Sequence, residues 1–419
     1  MKNEITLKKE EIPKNYYNIL PDLPKALPKP KGDVSILPKI FAESLLKQEN
    51  SKKRFIKIPK EVRQIYSKIG RPTPLYRADR LEEALNTKAR IYFKREDTTF
   101  TGSHKLNTAL AQAYFIAKDG YKKVTTETGA GQWGSALSLA CMFFDLKCKV
   151  YMVKCSYEQK PYRKYVMKMY NASVTPSPSK ETKIGQEFLK KKPKTSGTLG
   201  MAIAEAIEKA KNDDQTVYSL GSVLNHVLLH QTVIGQEVKK QLKIVNETPD
   251  VLIGCVGGGS NFAGFTYPFM KDIIEGKSNA KVVAVEPKEV PTLTKAPYRY
   301  DYGDEGKQTP LLKMNSLGHD FAPDPIYAGG LRYHGDAPSL CLLNEEGLID
   351  AESYDQKECF KAAKLFTKTE GIIPAPESSH AIKSAIKHAK DAKKEKTIVF
   401  NLSGHGLLDL EGYSKVLNL

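Results

Sequence analysis

From about residue 72 onward, short apolar runs of strand length alternate with longer stretches of helical periodicity. "ARIYFKRE", "KKVTTETGAG" and "CKVYMVKC" read as strands. "QWGSALSLACMFFDL" and "PYRKYVMKMYNA" read as helices, with Pro161 suited to a first helical turn. Further along, "DVLIGCVGGGSN" and "AKVVAVEP" read as buried strands flanking a helix from about 260 to 275, and "KTIVFNLSGHG" as a late strand. Such alternation predicts an α/β protein whose mainly parallel sheets are covered by helices on both faces. Residues 1 to 70 break the pattern: they are rich in Pro and Lys ("LPDLPKALPKPKGD") and read as an extended arm followed by a short helical part. The stretch "VTPSPSKETKIGQEFLKKKPKTSG" reads as a mobile insertion.

The chain has 419 residues, enough for two lobes. No apolar run approaches the ~20 residues that span a bilayer, and the first residues lack the apolar core of a signal peptide, so no membrane association and a cytoplasmic location are expected. A formal charge of +17 invites a nucleic-acid reading, but the lysines are dispersed and no nucleic-acid motif accompanies them. Anionic small molecules are the more economical use of that field. The six cysteines form no CxxC and mostly lie in apolar runs, which reads as buried reduced thiols. "HVLLH" sets His226 and His230 one turn apart but lacks the Glu of HExxH, so no metal is expected.

In parallel α/β folds, ligands bind at the carboxyl ends of strands. Three glycine-containing loops follow strand signals here: "ETGAGQWG", "VGGGSN" and "LSGHG". In "GGGSN" (Gly257, Gly258, Gly259, Ser260, Asn261), successive bare N–H groups at a helix start suit a phosphate. The run is neither the dinucleotide G-x-G-x-x-G nor a P-loop. Lys105 follows "TGSH" at the start of the helix "KLNTALAQAYFIA". The positive end of that helix and the nearby His104 disfavour its ammonium form, which makes the amine available for a Schiff base. A phosphate cradle, an activated lysine and glycine loops at strand ends together suggest pyridoxal phosphate.

At this point the chain resembles a known family. "GRPTPL", "GSHKLN", "ETGAGQWG", "GCVGGGSN", "PAPESSHA" and "NLSGHG", in this order, look like the tryptophan synthase β chains, members of the fold type II pyridoxal-phosphate enzymes. The Trp in "GAGQWG", the inserted segment and the extended N-terminus look like their second, longer subgroup.

The resemblance implies two lobes, 73–225 and 226–419, with an extension 1–72 packed on the C-terminal lobe and a closing segment at about 120–212. It implies pyridoxal 5'-phosphate held by Lys105, with His104, Asn107, Gln132, Ser222, Glu377 and the Gly257–Asn261 run around it. Ser403 would face the pyridine nitrogen, where a neutral hydroxyl leaves that nitrogen unprotonated. Thr128, Gly129, Ala130, Gly131 and Gln132 would hold the substrate carboxylate, and Glu127 would manage protons at the leaving hydroxyl and at indole. The implied reaction condenses indole with L-serine to L-tryptophan, in a homodimer that pairs in some members with an α subunit. A serine dehydratase-like elimination is the rival, and it would not call for an acid at Glu127. Where many β chains carry an Asp that contacts the serine hydroxyl, this chain has Arg332, with Asp336 four residues on. An arginine fork there predicts contact with an anionic donor such as O-phosphoserine, or else a pairing with a neighbouring acid.

Overall fold

The computed structural model describes residues 3–419. Its strands, in chain order, are β1 (Glu4–Ile5), β2 (Asn15–Tyr17), β3 (Phe55–Lys57), β4 (Leu75–Arg77) and β5 (Ala89–Arg95). Then follow β6 (Lys123–Thr128), β7 (Lys147–Val153), β8 (Ser173–Ser177), β9 (Thr216–Tyr218) and β10 (Val251–Cys255). The last are β11 (Lys281–Pro287), β12 (Tyr298–Tyr302), β13 (Leu311–Asn315), β14 (Asp350–Tyr354) and β15 (Lys396–Leu402).

Seven of them form one sheet in the order β1-β4-β5-β15-β10-β11-β14, and four form a second in the order β8-β7-β6-β9. The smaller sheet is parallel throughout, as is the larger one from β5 to β14. This is the fold class that the alternation predicts. Both faces of the central strands are covered, which is why β10 and β15 are almost continuously apolar and buried. Phe93 of β5 stacks on Phe400 of β15 at 5.7 Å, and Phe366 closes the same cluster edge-on.

Three expectations change. Strands β4 and β5, expected in the N-terminal lobe, lie in the sheet built mainly from residues beyond 250, because β5 pairs along its whole length with β15. The N-terminal extension is more than an arm: β1 adds antiparallel to β4, and β2 pairs with β3. It also touches both halves, with Tyr17 N donating to Thr232 Oγ1 and Ser44 N donating to Asp119.

The expected mobile insertion is well anchored. Its first part is β8, an edge strand of the small sheet, and Lys183–Lys191 form an amphipathic helix. The anchor is Glu205, whose buried carboxylate accepts from Ser177 Oγ (2.5 Å), Ser179 Oγ (2.6 Å) and Thr182 Oγ1 (2.7 Å). Three hydroxyls in "SPSKET" satisfy one buried charge, and the loop is fixed around it.

Candidate active site

The carboxyl ends of β6, β9, β10 and β15 converge on a cavity of about 760 Å³. Lys105, Glu127, Gly257–Ser260, Glu377 and Ser403 line its inner part. Its outer part runs between Phe41, Leu46 and Leu224 toward Leu20–Pro30 of the N-terminal extension.

Lys105 is the first residue of the helix Lys105–Lys118, with His104 as its N-cap. Its amine makes no hydrogen bond or ion pair among the described residues. Burial lowers its pKa, against the attraction of Glu377. This is the direction a nucleophilic amine needs. The imidazole of His104 is also buried: Nδ1 lies 3.2 Å from the carbonyl of Ser403, while Nε2 has no partner among the described residues. Burial and Lys105 push its pKa down to about 3. An anion arriving at Nε2 would reverse that shift and make the ring a donor.

The phosphate-type cradle is shaped by what it cannot contain. A Cβ on Gly257 would sit 2.3 Å from the carbonyl oxygen of Gly330, so only glycine fits there. Gly259 has φ +101 and caps the 15-residue helix Ser260–Ile274, leaving the first N–H groups of that helix turned to the cavity. Ser222 Oγ accepts from Ser260 N at 3.2 Å, which ties the cradle to the loop after β9. Asn261 braces it from behind, donating to the carbonyl of Cys255 and accepting from Asn401.

Opposite, Ser403 Oγ lies 2.7 Å from Ser378 Oγ and 3.6 Å from Cys255 Sγ, a neutral set of polar atoms. Glu377 accepts from Gly330 N (2.8 Å) and from Gln132 Nε2 (3.2 Å), bridging the small-sheet loop to the 329–331 turn.

Glu127 lies near the end of β6, next to the loop Thr128–Gly131. Burial pushes its pKa up to about 7, against a hydrogen bond from Tyr218 at 2.5 Å. A carboxyl poised there can both give and take a proton. The loop's turn is made at Gly131, with φ +91 at the N-cap of the helix Gln132–Phe143. Thr128, Gly129, Ala130 and Gln132 face the cavity, whereas Gly131 is packed against Arg163 behind it.

Besides Gly131, two residues expected at the site lie outside the cavity lining. Asn107 does not line the cavity: its amide accepts from Arg71 (2.7 Å) and donates to Glu96 and Gln231. It belongs to a buried network in which Arg71 and Lys94 are paired with Glu96 and Glu237. Arg332 also stays outside the cavity lining. Its guanidinium is buried and donates to Ser156 Oγ at 2.6 Å and toward Cys155 Sγ at 3.2 Å, so among the described residues it pairs with no acid. Asp336 is buried, and burial together with Glu286 raises its pKa against a hydrogen bond from Thr292, so it is not Arg332's partner among the described residues. His226 Nδ1 lies 2.8 Å from Glu49, and the two ring nitrogens of His230 are bonded to Gln48 and Thr108.

Sequence reasoning missed Tyr218, Ser378, Cys255 and Phe41. Ser378 and Cys255 sit inside the quoted motifs "PAPESSHA" and "GCVGGGSN", so the signal for them was present. Tyr218 and Phe41 carry none.

The residues present fit pyridoxal phosphate. The cavity offers an unpaired amine, an unpartnered buried imidazole nitrogen, a cradle that any Cβ would fill and a neutral hydroxyl pair on the opposite wall.

Comparisons agree with that geometry. The family described as pyridoxal-phosphate dependent enzyme matches residues 66–404. "Tryptophan synthase beta chain 2" of Methanothermobacter thermautotrophicus is 57% identical, over 100% of this chain and 99% of its own length. "Tryptophan synthase beta chain" of Pyrococcus horikoshii is 58% identical, over 98% of this chain and 92% of its own. Among solved structures, a threonine deaminase isoform from Solanum lycopersicum covers 94% of this chain and 98% of its own, with a TM-score of 0.64 and 21% identity, which speaks to the fold alone. The chain belongs to the pyridoxal-phosphate-dependent enzymes and, within them, to the tryptophan synthase β chain family.

Proposed function

We propose that this site joins indole to the β-carbon of L-serine, giving L-tryptophan and water. Bound pyridoxal phosphate supplies an electron sink that loosens the bonds at the substrate's Cα and Cβ. The protein's own residues do the rest. Lys105 anchors the cofactor and moves a proton at Cα. His104 and the Gly257–Ser260 run hold the phosphate. Backbone N–H groups of the loop after β6 hold the amino acid's carboxylate, and Gln132, fixed by Glu377, keeps that loop against the cofactor wall.

One observation carries the reading over simple elimination. Glu127, with a pKa of about 7, faces the same cavity as Lys105 and stands where that cavity turns apolar. Loss of the serine hydroxyl takes up a proton in elimination and in replacement alike. Replacement alone also needs a base to take the proton that the incoming indole loses, and Glu127 lies toward the apolar part of the cavity. The apolar walls at Phe41, Leu46, Leu199 and Leu224 suit indole and keep water from competing with it.

An α subunit that delivers indole is the partner this reading calls for. The placement of Arg332 lends no support to an O-phosphoserine preference. The test is product analysis with serine, with and without indole. Tryptophan as the main product when indole is present supports the reading, and pyruvate as the main product under both conditions refutes it.

A further inference from the structure

Tyr218 ends β9, a strand of three residues that no motif marks. Its register partner on β6 is Thr125. Side chains alternate along a strand, so Glu127, two residues beyond Thr125, projects from the same side of the sheet as Tyr218. A side chain as long as tyrosine's spans that diagonal, and the phenol O–H donates to Glu127 Oε2 at 2.5 Å. Among the described residues it is the one side-chain donor that Glu127 has.

The ring that carries this hydroxyl is itself held. Phe41, from the N-terminal extension, lies 5.6 Å away at a tilt of 51°, and both rings line the cavity. A second buried phenol nearby, Tyr333, sends its O–H to the carbonyl of Gly303 at 2.9 Å and so does not compete. Burial keeps the Tyr218 hydroxyl protonated at any working pH, which makes it a permanent donor.

We propose that Tyr218 is a positioning residue for the reaction: its hydroxyl occupies Glu127 Oε2 and leaves Oε1 as the oxygen that exchanges a proton with the substrates. The inference rests on the reading of Glu127 as the acid–base group. A carboxyl tethered by one oxygen no longer rotates about its last bond, so the proton stays on the side of the reacting atoms. The same bond favours the charged form against burial, holding the group close to neutrality rather than far above it.

Tyr218→Phe keeps the ring and its packing on Phe41 and removes one oxygen. We expect kcat to fall roughly 10-fold or more, the scale of a lost hydrogen bond to a charged group, with the KM for serine nearly unchanged. The readout that ring packing alone would not move is the titration of Glu127, followed by infrared difference spectroscopy and assigned by the band lost in Glu127→Gln. It should shift upward from about pH 7. A wild-type kcat in Tyr218→Phe, or an unmoved carboxyl titration, overturns the inference. Full activity in Glu127→Ala would instead overturn the underlying reading of Glu127, so the two failures are told apart.

Discussion

Lys94 and Lys105 lie eleven positions apart on the same β-strand–loop–helix unit, and burial lowers the pKa of both. Their surroundings could hardly differ more. Lys94 has no exposed surface and donates to Glu237 (2.8 Å), Gln241 (2.9 Å) and the carbonyl of Thr73 (2.5 Å), so every proton of its ammonium group is used. Lys105 donates to nothing among the described residues and lines a cavity. A depressed pKa therefore does not separate a reagent from a brace. Vacant hydrogen-bonding capacity beside open volume does.

That contrast breaks most sharply at Lys105 itself. Lys105→Ala should abolish turnover, and borohydride should no longer fix cofactor to the protein. In the unaltered enzyme, peptide mass mapping should place the reduced cofactor on Lys105. Because an unpaired buried amine is being removed, the folded protein should lose less than about 1 kcal/mol, measured by urea unfolding.

Lys94→Met is the mirror experiment. It strands part of the charge on Glu237 and Glu96 and should cost about 3 kcal/mol or more of stability in the same unfolding assay, while the folded fraction keeps its cofactor spectrum. If Lys94→Met proved harmless to stability and fatal to chemistry, Lys94 would be a reagent and not a brace.

Two further residues extend the comparison to smaller effects. Glu127, with one side-chain donor and cavity on its other side, should behave like Lys105: Glu127→Ala should retain the cofactor's absorbance band yet lose about 10²-fold in activity. Its pH dependence follows from burial raising its pKa to about 7. The base form is depleted below that pH and the acid form above it, so the unaltered enzyme should fall off on both sides and Glu127→Gln should flatten the profile. Arg332, turned to Ser156 and Cys155 and outside the cavity lining, should take little part in choosing the amino-acid donor. Arg332→Ala should change the ratio of turnover on serine to turnover on O-phosphoserine by less than about threefold, the smallest effect here.

The same distinction explains how much of the site was legible in the sequence. Lys105, His104, Gly257–Gly259 and Ser403 announce themselves because their work depends on local backbone: a helix N-terminus, a run with no Cβ, a turn after a strand. Asn107 was misplaced because two of its partners, Arg71 and Gln231, come from other segments while the third, Glu96, lies in the loop just before its helix, and a motif position says nothing about which way an amide is used. Arg332 failed similarly: its partners on residues 155 and 156 are nearly two hundred positions upstream. Tyr218 stands 91 positions from Glu127, in a strand too short for periodicity to register. The alternation revealed both parallel sheets, but not that β4 and β5 would cross to the larger one, since strand order depends on pairings that no local pattern encodes.

The position of β15 sets a condition on how the molecule comes into being. It is the last strand in the sequence, yet it lies between β5 and β10 in the middle of the larger sheet. On the ribosome, β5 is made about three hundred residues before the neighbour it pairs with at seven positions. Until residue 402 has emerged, β5 and β10 each present an open, apolar edge, and the wall carrying Ser403 opposite Lys105 does not exist. Cofactor capture thus waits until β15 has joined the sheet and brought Ser403 to the wall opposite Lys105.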